Sequence, residues 1–307
     1  MASREKSQPG ITSETTAAAL FLTLVCRPKS AARAVAAKCA GLPRLVGQLC
    51  GGDRTDRLDF AVGFGAGFWR ALATGKAPAE LRTFRPINGP GGRAPATQAD
   101  VFLHLKSNRA DLNLECARRF LQSLDGMVRA VEEVHGFSYL DSRDFTGFID
   151  GTANPRGRER GQVALIGKED PAFSGGSYGL TQRYVHDLAR WAGLSTRKQE
   201  AVIGRTKQDS RELKHAPPTA HIRRAEVEAE GQELAIVRQS MPYGLASGEM
   251  GLYFVAYAKD LHRLDAMLRR LMGSSGDGLH DRLMEYTRPE SGAYFFFPSL
   301  ALLRSFQ

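Results

Sequence analysis

The order in which apolar runs and helical spacings alternate over residues 19–135 restricts the fold more than any other property of the chain. Ala19-Leu-Phe-Leu-Thr-Leu-Val-Cys26 reads as a strand buried in part on both faces. Residues 30–49 carry Ala, Leu and Val at helical spacing and predict a helix. Leu58–Phe64 and Asp100–Lys106 read as two more strands. Asn108 or Asp111 starts a helix that runs to about Leu124, and Met127–His135 reads as a fourth strand. Strand, helix, strand, strand, helix, strand is the βαββαβ order of a ferredoxin-like unit.

The second half rhymes with the first. Strands are expected at Ser177–Tyr184, Glu233–Arg238, Gly251–Tyr257 and Ala293–Pro298. Helices are expected around 186–192, at Lys198–Ile203 and at His262–Met272, the last with Leu264, Met267, Leu268 and Leu271 on one side. Regular β–α alternation, which a parallel sheet requires, is missing. The expected fold class is therefore α+β, with two ferredoxin-like units whose antiparallel sheets pack together. The expected division is a flexible tail over 1–16, an N-terminal half over 17–145 and a C-terminal half over 146–307. The Gly- and Pro-dense stretch Arg85–Ala96 reads as an irregular loop within the first half.

Composition narrows the function classes. Hydrophobic residues make up 42% and charged residues 24% of the 307, an ordinary globular balance. The net charge of +9 is spread among acidic neighbours, with no basic block interleaved with aromatics, so a nucleic-acid partner is not expected. No apolar run approaches the ~20 residues that span a bilayer, and the N-terminus lacks a secretory h-region. Cys26, Cys39, Cys50 and Cys116 form neither a C-x-x-C pair nor a disulfide-type framework. A cytoplasmic protein with no membrane partner is expected.

Three segments could carry chemistry. In Phe145-Thr-Gly-Phe-Ile-Asp150-Gly-Thr-Ala-Asn-Pro155 an Asp sits between an apolar pair and a Gly, where the backbone can approach a flat ligand; an ordinary Asp–Gly turn is the alternative. In Pro217-Pro-Thr-Ala-His221 a His follows a stiffened loop, as a metal ligand requires, although a capping His fits as well. Arg238 ends an apolar strand before Gln-Ser240-Met-Pro-Tyr-Gly244, placed to point into a cavity or to form a structural ion pair.

Together these residues resolve into a family. Gly147-Phe-Ile-Asp150-Gly151, extended by Thr-Ala-Asn-Pro155, resembles the G-x-x-D-G signature of dye-decolourising peroxidases. Glu133–Phe137, Gly175–Tyr178, Gln182–Asp187, Ile203–Lys207, Met241–Gly244 and Ala293–Phe296 agree with it, and the resemblance spans about residues 17–303. The compact C-terminus is similar to that of B-type members. The resemblance implies haem b bound in the C-terminal half and oxidation of aromatic donors such as dyes and phenols by hydrogen peroxide through a ferryl intermediate. His221 matches the ligand of the iron, and Asp281 the carboxylate behind it. Asp150 and Arg238 match the pair that works on peroxide, and Ser240 stands where many members have Asn. Arg205 matches a position beside a haem propionate; Gly176, Ser177 and Tyr178 are expected at the haem edge and Phe254 against the ring. Small aromatic reductants are the expected partners, a homo-oligomer the expected assembly, and a C-terminal encapsulation tail is not evident. The alternative is a haem-handling protein with incidental activity, but mere binding of haem needs neither Asp150 nor Arg238.

Overall fold

The computed structural model describes residues 7–28, 31–51, 57–72, 75–229 and 232–307. The chain begins with α1 (Pro9–Thr12), β1 (Ala18–Cys26), α2 (Ala32–Ala40), α3 (Leu42–Leu49), β2 (Leu58–Phe64) and α4 (Ala66–Leu72). It continues through β3 (Ile87–Gly89), β4 (Gly92–Ala94), β5 (Val101–Ser107), α5 (Ala110–Ser123) and β6 (Val128–Phe137). The second half opens with α6 (Glu159–Ala164), β7 (Ser177–His186), α7 (Leu188–Ala192), α8 (Thr196–Ile203) and α9 (His221–Ala225). Then come β8 (Glu228–Ala229), β9 (Gln232–Glu233), β10 (Val237–Arg238), β11 (Met241–Gly244) and β12 (Met250–Ala258). The chain closes with α10 (Leu261–Met272), β13 (Thr287–Pro289), β14 (Ala293–Phe297) and α11 (Leu300–Arg304).

Two sheets share one topology. The first runs β2-β5-β1-β6 and the second β10-β12-β7-β14, antiparallel throughout. In each the strands stand in the spatial order second, third, first, fourth, which is the ferredoxin-like arrangement twice over. The sheets join edge to edge through one residue pair, Phe296 opposite Phe64.

Alternation along each strand explains the near-continuous apolar runs. On β1, Leu20, Leu22 and Leu24 face the helices, whereas Ala19 and Phe21 face the space between the sheets. Phe102, Tyr253, Tyr257, Phe295 and Phe297 fill that inner layer, with Phe21 stacked on Tyr253 at 4.2 Å between ring centroids. Both faces are covered, so both parities are apolar.

Several expectations need correction. Residues 7–13 do not trail as a tail, while residues 1–6 lie outside the described residues. The Gln8 amide donates to the carbonyls of Val62 (2.8 Å) and Pro298 (2.9 Å) and accepts from Val62 N–H (2.6 Å), so it completes backbone bonding at the seam between the sheets. Gly10 lies so close to β2 that a Cβ would sit 2.6 Å from the Phe60 carbonyl carbon. The helix expected over 30–49 is two, broken at Gly41 with Pro43 in the first turn of α3. Within Arg85–Ala96 a short hairpin, β3–β4, replaces the irregular loop. The strand expected over Glu233–Arg238 pairs with the sheet only at Val237 and Arg238. Among the described residues no helix is long and apolar enough to cross a membrane.

Candidate active site

Strand parity decides which face of the second sheet carries chemistry. Tyr253, Val255 and Tyr257 join the inner layer, so Phe254 points outward. Gln239 likewise turns inward, where it accepts from Lys106 Nζ (2.8 Å) and donates to Ser13 O (2.8 Å). Its neighbours Arg238 and Ser240 therefore face outward, toward α9 and α10. The cavity there is walled by Leu252, Phe254, Met267 and Leu271 and carries Asp150, His221, Arg238 and Ser240. A second cavity shares Asp150, His221, Ala225 and Arg238 and adds Ile203 and Arg205. A third shares Asp150, Arg238 and Ser240 and includes Tyr139 and Asn154. The residues in common make one composite site.

His221 is the first residue of α9, and the turn before it is set by Ala220 N–H donating to Pro217 O (2.9 Å). His221 Nδ1–H donates to Asp281 Oδ2 at 2.6 Å. Asp281 is 0% exposed, and its other oxygen accepts from Leu283 N–H at 2.8 Å. Burial alone disfavours the imidazolium, but the charge and hydrogen bond of Asp281 outweigh it and hold the His221 pKa above its ordinary value. The carboxylate fixes the proton on Nδ1 and makes Nε2 a stronger electron donor. The side chain keeps 30% of its surface open, onto the cavities it lines.

The other candidate histidines lack this arrangement. His186 also lines the cavity, yet both its nitrogens are engaged, Nε2 with Asp144 (3.1 Å) and Nδ1 with Thr287 (2.8 Å). His215 is exposed, and His280 lies 3.7 Å from Glu285. Neither lines the three cavities.

Asp150 and Arg238 lie across the site. The Asp150 N–H donates to Ser142 O (2.9 Å), and its carboxylate accepts from Gly151 N–H (2.7 Å). Arg238 Nε is buried and has no hydrogen-bond partner among the described residues, an uncommon state for a charged donor. One edge of β10 is occupied by β12; the other is capped by a side chain. Asn154 Nδ2 donates to Arg238 O (2.7 Å), and Arg238 N–H donates to Asn154 Oδ1 (2.9 Å). The Asp150 loop and the Arg238 strand are thus tied by one amide. Ser240 Oγ accepts from Val255 N–H (3.3 Å), which leaves its own proton to donate.

Of the residues singled out in the sequence, Asp150, Arg238, Ser240, His221, Asp281, Arg205 and Phe254 come together. Arg205 donates to Ser210 O (3.0 Å) and pairs with Glu212 (3.6 Å) at the wall of the second cavity. Gly176, Ser177 and Tyr178 do not join them. They start β7, where Gly176 packs on Phe296, Ser177 bonds Tyr178 O, and the Tyr178 hydroxyl accepts from Glu80 N–H. The cavity is reached instead by Tyr184 and His186 at the far end of the same strand, ~25 Å along at the usual rise. Asn154 was part of the quoted motif, but its task depends on a partner 84 residues away, which spacing does not reveal.

Comparison with known proteins agrees with this layout. The sequence patterns of the Dyp-type peroxidase N-terminal and C-terminal domains match residues 8–138 and 141–302. The chain belongs to the Dyp-type peroxidase family and is an oxidoreductase acting on hydrogen peroxide. The dye-decolorizing peroxidase of Mycolicibacterium paratuberculosis is 38% identical, the match covering 94% of this chain and 82% of that one. A variant of DypB from Rhodococcus jostii RHA1, solved in complex with heme, superposes with a TM-score of 0.93 at 38% identity over 96% of this chain and 97% of that one. The encapsulated DyP-type peroxidase from Mycobacterium smegmatis gives 0.93 at 36% identity over 98% of both chains.

Proposed function

We propose that the composite cavity holds haem b on His221 and that Asp150 and Arg238 activate hydrogen peroxide there, with small aromatic donors such as phenols and dyes returning the electrons. The observation that carries this is the His221–Asp281 pair, bonded at 2.6 Å with the carboxylate fully buried, in one cavity with Arg238, whose buried Nε has no hydrogen-bond partner among the described residues.

The residues present suit the group. Apolar walls at Phe254, Leu252, Met267 and Leu271 match the faces of a macrocycle, Arg205 is available to a propionate, and His221 Nε2 is a neutral-imidazole ligand. When bound, haem supplies the redox-active iron that takes up the oxidising power of peroxide. The protein's part is proton and charge handling. The Asp150 carboxylate takes the proton from one peroxide oxygen and returns it to the other. Arg238 keeps a fixed positive charge where negative charge develops on the leaving oxygen. Ser240 offers a hydroxyl proton to the same region, and Asn154 holds the two catalytic segments in register. Asp281 keeps His221 in one tautomer.

The four cysteines are free thiols, three of them buried, which supports action in the reducing cytoplasm. Assembly as a homo-oligomer belongs to the same proposal and is read by light scattering on the purified protein.

The test is the absorbance spectrum of the purified protein before and after one equivalent of peroxide, followed by turnover of a phenol or dye. His221→Ala is expected to abolish or greatly weaken haem binding. If that variant keeps the wild-type spectrum while His186→Ala loses it, the ligand assignment is wrong.

A further inference from the structure

Three residues after His221, on the same short helix, stands Arg224, 2% exposed. A charged side chain so deeply buried needs full compensation. Arg224 finds it in the segment that links α10 to Asp281. Its Nε and Nη2 donate to Arg270 O (3.2 and 3.0 Å), the end of α10. Nη1 donates to Asp277 Oδ2 at 2.6 Å, and Nη2 lies 2.9 Å from Leu279 O. Arg270 answers in kind, donating through Nη2 to Arg223 O (2.7 Å). Within the linking segment, Ser275 Oγ and Leu279 N–H also donate to Asp277 Oδ1 (3.1 Å each), so Asp277 gathers the turn that Arg224 holds. Gly276 and Gly278 both adopt positive φ, and a Cβ on either would meet nothing within 4 Å. Its far end is Asp281, whose N–H donates to Leu271 O (3.0 Å) and whose carboxylate receives His221.

We propose that Arg224 is a positioning residue: by clamping residues 275–279 to the helix that carries His221, it sets how firmly Asp281 accepts the Nδ1 proton and hence the donor strength of Nε2. The proposal rests on His221 being the haem ligand. A guanidinium is suited to the task because its planar fork meets a carboxylate and carbonyls at once, which an ammonium cannot do. Outer partners of a ligating His commonly change metal affinity ~10–100-fold.

The experiment uses the full-length haem-loaded protein and reads the ferrous iron–histidine stretching band by resonance Raman, with haem affinity by titration and thermal melts alongside. Asp281→Asn is expected to lower the band frequency. Arg224→Ala is expected to move it the same way, to weaken haem affinity ~10-fold and to add nothing further in the Asp281→Asn background. Arg224→Lys is expected to recover part of the shift. A band left at its wild-type position in Arg224→Ala, with only the melting temperature reduced, overturns the proposal. Should Arg224→Ala fail to fold, Asp277→Asn removes the charged partner while keeping the carbonyl bonds, and an unshifted band in that variant overturns it equally. Loss of the band in His221→Ala is required throughout. A band that survives His221→Ala removes the ligand assignment and the clamp with it, whereas unresponsive Arg224 variants beside a band-less His221→Ala remove the clamp alone.

Discussion

Replacing Asn154 with Ala should damage peroxide activation without touching any group that meets peroxide. The side chain makes two hydrogen bonds, at 2.7 and 2.9 Å, to both backbone groups of Arg238. Each is worth ~1 kcal/mol net, and each backbone group left unpaired in a partly buried edge costs ~1–3 kcal/mol. For the two groups together a destabilisation of about 2–6 kcal/mol is expected. The kinetic effect has a different origin. Without the amide, Asp150 and Arg238 sit on segments free to drift relative to each other, and a misplacement of ~1 Å costs ~10² in rate. Stopped-flow mixing of the haem-loaded variant with peroxide should show the first spectral change slowed ~10–100-fold. Asn154→Asp keeps the acceptor for Arg238 N–H and loses the donor to its carbonyl, so it should fall between. If Asn154→Ala melts lower as expected but reacts within about twofold of wild type, the tie is structural only and the reasoning fails.

Arg238→Leu should slow the reaction with peroxide more than Asp150→Ala, because water can replace Asp150 as proton carrier but neither water nor the neighbouring Ser240 supplies a fixed charge; a rate tenfold lower for Asp150→Ala, about 1.4 kcal/mol in barrier, would reverse the ranking. Lys106, 2% exposed, has its pKa pulled down to about 7, mainly by burial, with Asp59 opposing the fall and Arg160 and Arg57 adding to it. Because its folded pKa lies below its unfolded value of 10.5, the folded state is penalised at low pH, and that penalty is relieved as pH rises from about 7 toward 10.5. Lys106→Met should therefore flatten the rise in melting temperature between about pH 6.5 and pH 9; curves that stay parallel to wild type would contradict this. Gly10→Ala forces a Cβ against the Phe60 backbone and should lower the melting temperature, a change visible by calorimetry.

Long apolar strands were legible because burial on both faces leaves no polar residue to interrupt them: β1, β2 and β5 lie where their apolar runs predicted. Shorter elements were not. α9 has five residues, too few for a helical period, and β11 reads as a turn because Pro and Gly occupy two of its four positions. The joint at Gly41–Leu42 lies inside an unbroken helical pattern, and only the missing N–H of Pro43 marks it. At the site, Asp150, His221 and Arg238 were legible as motifs, and Asp281 through the family resemblance. Gly176, Ser177 and Tyr178 were misplaced because proximity in a motif does not say which end of a strand meets the cavity; that follows from pairing, Tyr184 opposite Leu252 and Tyr178 opposite Ala258. Arg224 gave no signal at all, since its partners lie 46–55 residues away.

The Gln8 amide has a consequence for how the chain is made. Its acceptor Pro298 is translated 290 residues later, a wait of ~15–60 s at ordinary elongation rates. Throughout that interval the first sheet can assemble, since all four of its strands precede residue 138, but β2 has no strand beside it on its outer side until β14 emerges, only the Gln8 amide at Val62. The nascent protein therefore presents an apolar strand edge to the crowded cell for most of its synthesis, the kind of edge that templates wrong pairings. Completion of the last strand ends that exposure and adds the last of the Gln8 hydrogen bonds, to Pro298 O.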